Sequence, residues 1–172
     1  KIDTWVHDIV CETLPAVQPR NIFLVGGPGN GKTDVVEHCI NKFDQTLGAH
    51  GDLVKQFSKI FIQDTASLPP RRADVKSQTY SCNSGRKFDF VIIQDATESE
   101  TGGQFSSAEE ALLNDLNQIK KQCGNQIYIC CVNRGIISEL TNLEKNNEIK
   151  TLINDIITAS NVGNNKSPCW PL

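Results

Sequence analysis

Apolar residues fall in short runs divided by polar stretches. Asn21-Ile22-Phe23-Leu24-Val25, Phe88-Asp89-Phe90-Val91-Ile92-Ile93 and Ile127-Tyr128-Ile129-Cys130-Cys131-Val132 read as buried strands. Ile60-Phe61-Ile62 is a shorter run of strand type. Helical spacing appears between them. Trp5, Val6, Ile9, Val10 and Leu14 form a stripe over 3–14, with Asp3 able to cap and Pro15 and Pro19 ending it. Val35, Val36, Cys39, Ile40 and Phe43 predict a helix from about 32 to 46, closed by Gly48 and Gly51. Ser107 and Glu110 make a capping box ahead of Leu112, Leu113, Leu116 and Ile119, and Gly124 ends that helix. Ile149, Leu152, Ile153, Ile156 and Ile157 predict a last amphipathic helix. The polar stretch 64–87 reads as an exposed loop with at most a short helix or strand, its Arg71 and Arg72 as solvated charges. Residues 96–105 are again polar, and 161–172 look irregular.

Apolar strands alternating with amphipathic helices imply an α/β fold: a three-layer α-β-α sandwich around a mostly parallel sheet. The 172 residues are about one domain's length. Residues 1–19 are its N-terminal helix and linker, 20–160 the core and 161–172 a tail. The chain opens at Lys1 and holds no methionine, so it is expected to be a fragment of a larger protein. In such sheets ligands sit at the C-terminal ends of the strands, so the residues just past each strand carry the chemistry.

The first of these segments is the most specific. Gly26-Gly27-Pro28-Gly29-Asn30-Gly31-Lys32-Thr33 fits G-x-x-x-x-G-K-[ST], the phosphate-binding P-loop, between a predicted strand and a predicted helix. A triphosphate needs successive backbone N–H groups turned toward it, and a helix N-terminus supplies more. Gly26, Gly29 and Gly31 permit the dihedrals and the close approach. Lys32 is expected on the β- and γ-phosphates and the Thr33 hydroxyl on Mg²⁺, with Asp34 completing the nucleotide-binding stretch.

Past the second strong strand come Gln94-Asp95-Ala96-Thr97-Glu98. An apolar run ending in acid is the Walker B pattern, in which a carboxylate holds Mg²⁺ and a neighbouring Glu orients the attacking water. Strict spacing puts Gln94 at the metal position and Asp95 at the catalytic one. A shift of one makes Asp95 the metal carboxylate and leaves Glu98 to act from the loop. Asp64, after Ile62-Gln63, imitates the pattern. It lies 32 residues after Lys32, which suits a strand reached directly from the P-loop helix. Asp95 lies 63 after Lys32, which suits families with one strand between the two, and its longer apolar run favours it. Past the third strand, Asn133 can bond the γ-phosphate or the attacking water, or cap a helix. Arg134 can contact phosphate, pair with an acid or act on an adjacent subunit as an arginine finger. Asn41-Lys42-Phe43-Asp44 matches the guanine motif N-K-x-D, but it sits on the first long helix and reads as a solvated face.

Composition narrows the setting. Net charge is −3, so no overall basic field favours nucleic acid, although a local basic patch is compatible with it. Nothing approaches about 18 consecutive apolar residues, and the N-terminus lacks a signal-peptide pattern, so a cytoplasmic protein without a membrane span is expected. Cys11, Cys39, Cys82, Cys123, Cys130, Cys131 and Cys169 are odd in number and contain no C-x-x-C pair; they read as reduced cysteines and not as a zinc site. Asn165-Lys166-Ser167 matches a glycosylation sequon that a cytosolic chain would not use.

Together G-G-P-G-N-G-K-T, F-V-I-I-Q-D and C-V-N-R-G resemble the AAA+ ATPases and their P-loop relatives. The resemblance covers residues about 20–160 and implies ATP as ligand, Mg²⁺ as cofactor and phosphoryl transfer to water. It implies Asn133 as the γ-phosphate sensor and partners among other domains or subunits of an assembly. Members drive rearrangement of protein or nucleic acid, and many prokaryotic relatives serve DNA transactions or antiphage defence. The other readings are a non-hydrolysing nucleotide switch, which the missing Asp-Glu pair favours, and a small-molecule or nucleotide kinase, for which Arg71-Arg72 would be the lid arginines.

Overall fold

The computed structural model describes residues 1–11, 20–27, 29–61, 70–76, 88–94, 105–121, 126–143 and 147–160. Its helices are α1 (Ile2–Cys11), α2 (Lys32–Leu47), α3 (Asp52–Phe61), α4 (Ala108–Lys120), α5 (Arg134–Leu143) and α6 (Asn147–Ser160). Its strands are β1 (Asn21–Val25), β2 (Arg72–Lys76), β3 (Asp89–Ile93) and β4 (Gln126–Val132). They form one sheet in the order β1-β4-β3-β2. β4 is parallel to both β1 and β3, whereas β2 runs antiparallel to β3. The fold is α/β with a mostly parallel, open sheet.

The strands' continuous apolar runs reflect burial on both faces. Period-two alternation splits β4 between two cores. Ile127, Ile129 and Cys131 join Ile22, Phe90 and Ile92 under α1, α2 and α3. Tyr128, Cys130 and Val132 join Phe23, Val91 and Ile93 under α4, α5 and α6. Helices on opposite faces make the arrangement compatible with a three-layer sandwich. The N-terminal helix belongs to the first core: Trp5 meets Phe43 edge-on at 5.6 Å, and Phe43 meets Phe90 at 4.8 Å.

Three expectations need correction. Ile60 and Phe61 do not form a strand; they close α3. Leu53 and Phe57 are buried four residues apart, and Ile60 and Phe61 continue that helical face. The strand that would have presented Asp64 is therefore absent there, and Asp64 itself lies outside the described residues. Next, Arg71 and Arg72 are not solvated charges. Arg71 is buried against Asp115, and Arg72 opens β2. Lastly, Asp44 of the N-K-x-D match is not on a solvated face. It is 5% exposed, and its carboxylate accepts from the amides of Gly51 at 2.7 Å and Leu53 at 2.9 Å, holding the start of α3.

The capping box at α4 is present in altered form. Ser107 Oγ accepts from the Glu110 amide at 3.3 Å, as expected, but the Glu110 carboxylate reaches back to the amide and hydroxyl of Ser106. Gly48 ends α2 in the left-handed conformation, also as expected.

Candidate functional site

The three parallel strands end on one edge of the sheet. β1 and β4 are in register through Val25 and Val132, and the Gly26 amide extends that pairing by donating to the Val132 carbonyl at 3.1 Å. The glycine loop therefore starts beside Asn133. Gly29 and Gly31 take positive φ, 74° and 68°, where a side chain would be strained. Gly31 is the residue before α2 and offers no side-chain cap, so the first N–H groups of the helix are left for another acceptor.

Lys32 is half-buried and folded back over the loop. Its ammonium donates to the carbonyls of Gly27 at 2.7 Å and Gly26 at 3.1 Å. Thr33 and Asp34 are exposed on the first turn of α2. Asn30 is exposed but lies across the loop, its Nδ2 3.1 Å from where a Cβ on Gly26 would stand. Pro28 lies outside the described residues. A cavity of about 290 Å³ opens between β1 and the end of α6, with Asn30 and Lys32 on its rim and Leu24, Ile156 and Ser160 in its walls.

Asn133 and Arg134 both have local structural work. Asn133 Oδ1 accepts from the Gly135 amide at 3.0 Å, and its carbonyl accepts from Ile137 at 3.3 Å. This is an N-cap on α5, a helix the apolar pattern did not announce. Arg134 reaches the last carbonyl of α6, on Ser160, at 2.8 Å. It joins the end of β4 to the wall of the cavity.

At the end of β3, Gln94 donates its amide to the Arg71 carbonyl at 3.0 Å. Asp95 and Glu98, the expected acidic residues, lie outside the described residues. Behind Gln94 sits an ionic cluster. Arg71 Nη2 donates to Asp115 Oδ2 at 2.7 Å, and Arg72 Nη1 donates to Asp115 Oδ1 at 3.1 Å and Gln118 Oε1 at 2.7 Å. Burial pushes the Cys130 thiol well up, and Asp115 adds to the effect. Burial also raises the Tyr128 phenol, against a lowering by Arg72. Sequence reasoning missed this cluster. Its one signal was Asp115 at helical spacing from the apolar face of α4, three residues after Leu112 and four before Ile119.

Among the described residues no group of three or more His, Cys, Asp and Glu is arranged to hold a metal ion. No described helix is long and apolar enough to cross a membrane. The structure thus brings together the loop 26–33 and Asn133, with β3 ending on the same edge. Comparison with protein-family models, with curated proteins and with solved structures found no match.

Proposed function

We propose that the chain is an ATP-binding, Mg²⁺-dependent ATP-hydrolysing module of P-loop type that drives or gates rearrangement of a macromolecular partner in the cytoplasm. The observation that carries this reading is the position of Lys32. A half-buried ammonium rests on the carbonyls of Gly26 and Gly27 at the open N-terminus of α2, in a loop whose Gly29 and Gly31 are left-handed. Such an ammonium is available to an anion that displaces it from the carbonyls, and the uncapped helix end supplies further donors. The chain order supports the same reading. β2 is the one described strand between β1 and β3 along the chain, as suits the 63 residues from Lys32 to Asp95.

In this mechanism the N–H groups of Gly27 and of Gly29 to Thr33 surround the β- and γ-phosphates, and Lys32 neutralises charge that develops on them. Thr33 suits Mg²⁺: its hydroxyl is exposed one residue past Lys32, and hard oxygen donors are what that cation takes. Mg²⁺ bound there supplies charge neutralisation at the phosphates. With Thr33, Asp95 would hold the cation, and Asp95 or Glu98 would orient the attacking water. Asn133, beside Gly26, senses the γ-phosphate while its oxygen keeps α5 capped.

The second reading, a nucleotide-binding switch that does not turn over, rests on Ala96 directly after Asp95, where a catalytic Glu is usual. The kinase reading loses its lid arginines. Arg71 is paired and 4% exposed, and β2 stands three strands from β1, about 14 Å at roughly 4.8 Å per strand. Phosphate release with ATP and Mg²⁺, comparing the wild type with Lys32→Ala, Asp95→Ala and Glu98→Ala, tests the proposal. Turnover that requires Lys32 and Asp95 supports hydrolysis. ATP binding without turnover selects the switch, and no binding removes both.

A further inference from the structure

We infer that the cavity beside β1 is the site of a purine base, and that the free edge of β1 selects adenine there. The inference rests on the proposed nucleotide site at Lys32 and says where the rest of the nucleotide goes. Side chains on a strand point alternately to its two faces. A cavity that touches Ile22, Phe23, Leu24 and Val25 in succession therefore lies beside the edge of β1 and not on one face. β1 stands at the end of the sheet order, with β4 as its one neighbour among the described strands. Ile156 and Ala159 of α6 close the cavity from one layer, and Val35 of α2 closes it from the other. The result is a slot in the plane of the sheet with apolar groups above and below.

The strand edge supplies the polar groups. The Tyr128 amide donates to the Arg20 carbonyl at 2.9 Å, and the Gly26 amide donates to the Val132 carbonyl at 3.1 Å. In a parallel pair, residues that face the neighbouring strand alternate with residues that face away. Arg20, Ile22, Leu24 and Gly26 thus turn their backbone groups to β4. The N–H and C=O of Phe23 and Val25 point the other way, into the slot, and have no partner among the described residues. The Phe23 carbonyl and the Val25 amide stand side by side there, one acceptor and one donor. Adenine carries the complement on one edge, its N6 amino group beside a ring-nitrogen acceptor. Guanine carries O6 where adenine has N6, and so sets an acceptor against the carbonyl.

Position and size favour a base. Asn30 and Lys32 stand on the rim of the same cavity, so it is continuous with the glycine loop. β4, with Asn133 past its end, lies on one side of β1, and the cavity lies on the other. A triphosphate held at Lys32 with its γ-phosphate toward Asn133 leaves its nucleoside directed to the open edge. The volume of about 290 Å³ is near the lower end of small-molecule sites, about 300 Å³. A planar ring turns apolar faces to Val35 and Ile156 and keeps its polar atoms at its rim, which matches the lining of the slot. An added peptide strand would satisfy the same backbone groups, but it gives Lys32 on the rim no role.

Binding titrations of the full chain with ATP, GTP and inorganic tripolyphosphate, each with Mg²⁺, test this, alongside Ala159→Phe, which narrows the slot from α6. ATP should bind about tenfold or more tightly than GTP, and by a similar factor more tightly than tripolyphosphate. In Ala159→Phe, ATP affinity should fall about tenfold, with tripolyphosphate binding unchanged within about twofold. In the wild type, ATP should slow exchange of the Val25 amide about tenfold, and tripolyphosphate should not. ATP bound no more tightly than tripolyphosphate, or GTP bound as tightly as ATP, would overturn the base site and leave the phosphate site standing. These wild-type comparisons decide the matter even where Ala159→Phe does not fold. Binding of neither ATP nor tripolyphosphate would remove the P-loop reading and this inference together. Protection of the Phe23 and Val25 amides that grows with protein concentration, without nucleotide, would overturn the inference and give the edge to a strand from a second copy.

Discussion

The ammonium of Lys32 lies 2.7 Å from the carbonyl oxygen of Gly27, five residues back along the same loop. The bond satisfies a half-buried cation with the loop's own backbone. It also keeps the side chain over the space that the uncapped N-terminus of α2 faces. Lys32→Ala should therefore affect ligand binding and leave the fold intact. A hydrogen bond to a charged group contributes about 1.5–3 kcal/mol, so ATP affinity should drop roughly tenfold to a hundredfold. The melting temperature should stay near that of the wild type. Lys32→Arg should not rescue binding, because a planar guanidinium does not fit where a compact ammonium sits on two carbonyls. Titration with a fluorescent ATP analogue, alongside thermal melts, decides it.

The glycines of the loop separate by mechanism. Gly31 has φ 68°, and the nearest atom to an added Cβ would be Asp34 Oδ2 at an ordinary 3.6 Å. Gly31→Ala is then a dihedral problem, expected to cost about 1–2 kcal/mol of stability at the start of α2. Gly26 has no such φ, but a Cβ there would stand 3.1 Å from Asn30 Nδ2. That side chain is exposed and can move, so Gly26→Ala should unfold at nearly the wild-type urea concentration while displacing Asn30 from the loop. Urea curves of both variants, with ATP titrations beside them, would show stability falling in the first and binding changing in the second.

Periodicity revealed most of this framework, and its failures have definite causes. The runs at 21–25, 88–93 and 127–132 are strands because both faces of a parallel sheet are covered, which leaves no polar alternation to confuse them. The run Ile60-Phe61-Ile62 misled because three apolar residues have no period of their own; only Leu53 and Phe57 upstream establish the helix that takes in Ile60 and Phe61. β2 escaped because Arg72, Asp74 and Lys76 alternate with Ala73 and Val75 in a strand paired on one side only, and that pattern is weak beside Arg71. The glycine turn ahead of α2 was legible because its left-handed positions, Gly29 and Gly31, call for glycine. The Arg71–Asp115 pair was not, since nothing in two charges 44 residues apart says they will meet in a core.

Asn133 has a cap to maintain and, in the proposed mechanism, a phosphate to sense. The two duties can be separated. Asn133→Ala removes the oxygen that accepts from Gly135 and should lower stability by about 0.5–2 kcal/mol. Asn133→Asp caps as well as asparagine does, so stability should remain within a few tenths of a kcal/mol. A carboxylate beside Gly26 would, however, repel the γ-phosphate, and phosphate release should fall by about tenfold or more. Wild-type turnover in Asn133→Asp would reduce Asn133 to the cap of α5.

Cys39 predicts how the first core responds to alkali. It is fully enclosed on α2 beneath α1, and burial, with Asp3 adding, pushes its thiol from the ordinary 9.0 up to about 12. At neutral pH the thiol is uncharged in both folded and unfolded chains, so its contribution is fully present. Above about pH 9 the unfolded chain loses the proton while the folded chain keeps it, and stability declines until the folded thiol titrates near 12. Cys130 is shifted in the same direction and steepens the decline. Urea midpoints under reducing conditions should therefore fall as pH rises through 9 and beyond, and Cys39→Ala should make that fall shallower despite a lower starting stability. The same burial governs reactivity, because the thiolate is the nucleophile. Site-resolved labelling of the native chain at neutral pH should modify exposed Cys11 and spare Cys39 and Cys130 until the chain unfolds. Prompt labelling of Cys39 in the native state would mean that α1 leaves α2 easily, and that the Trp5–Phe43 contact does not hold this face closed.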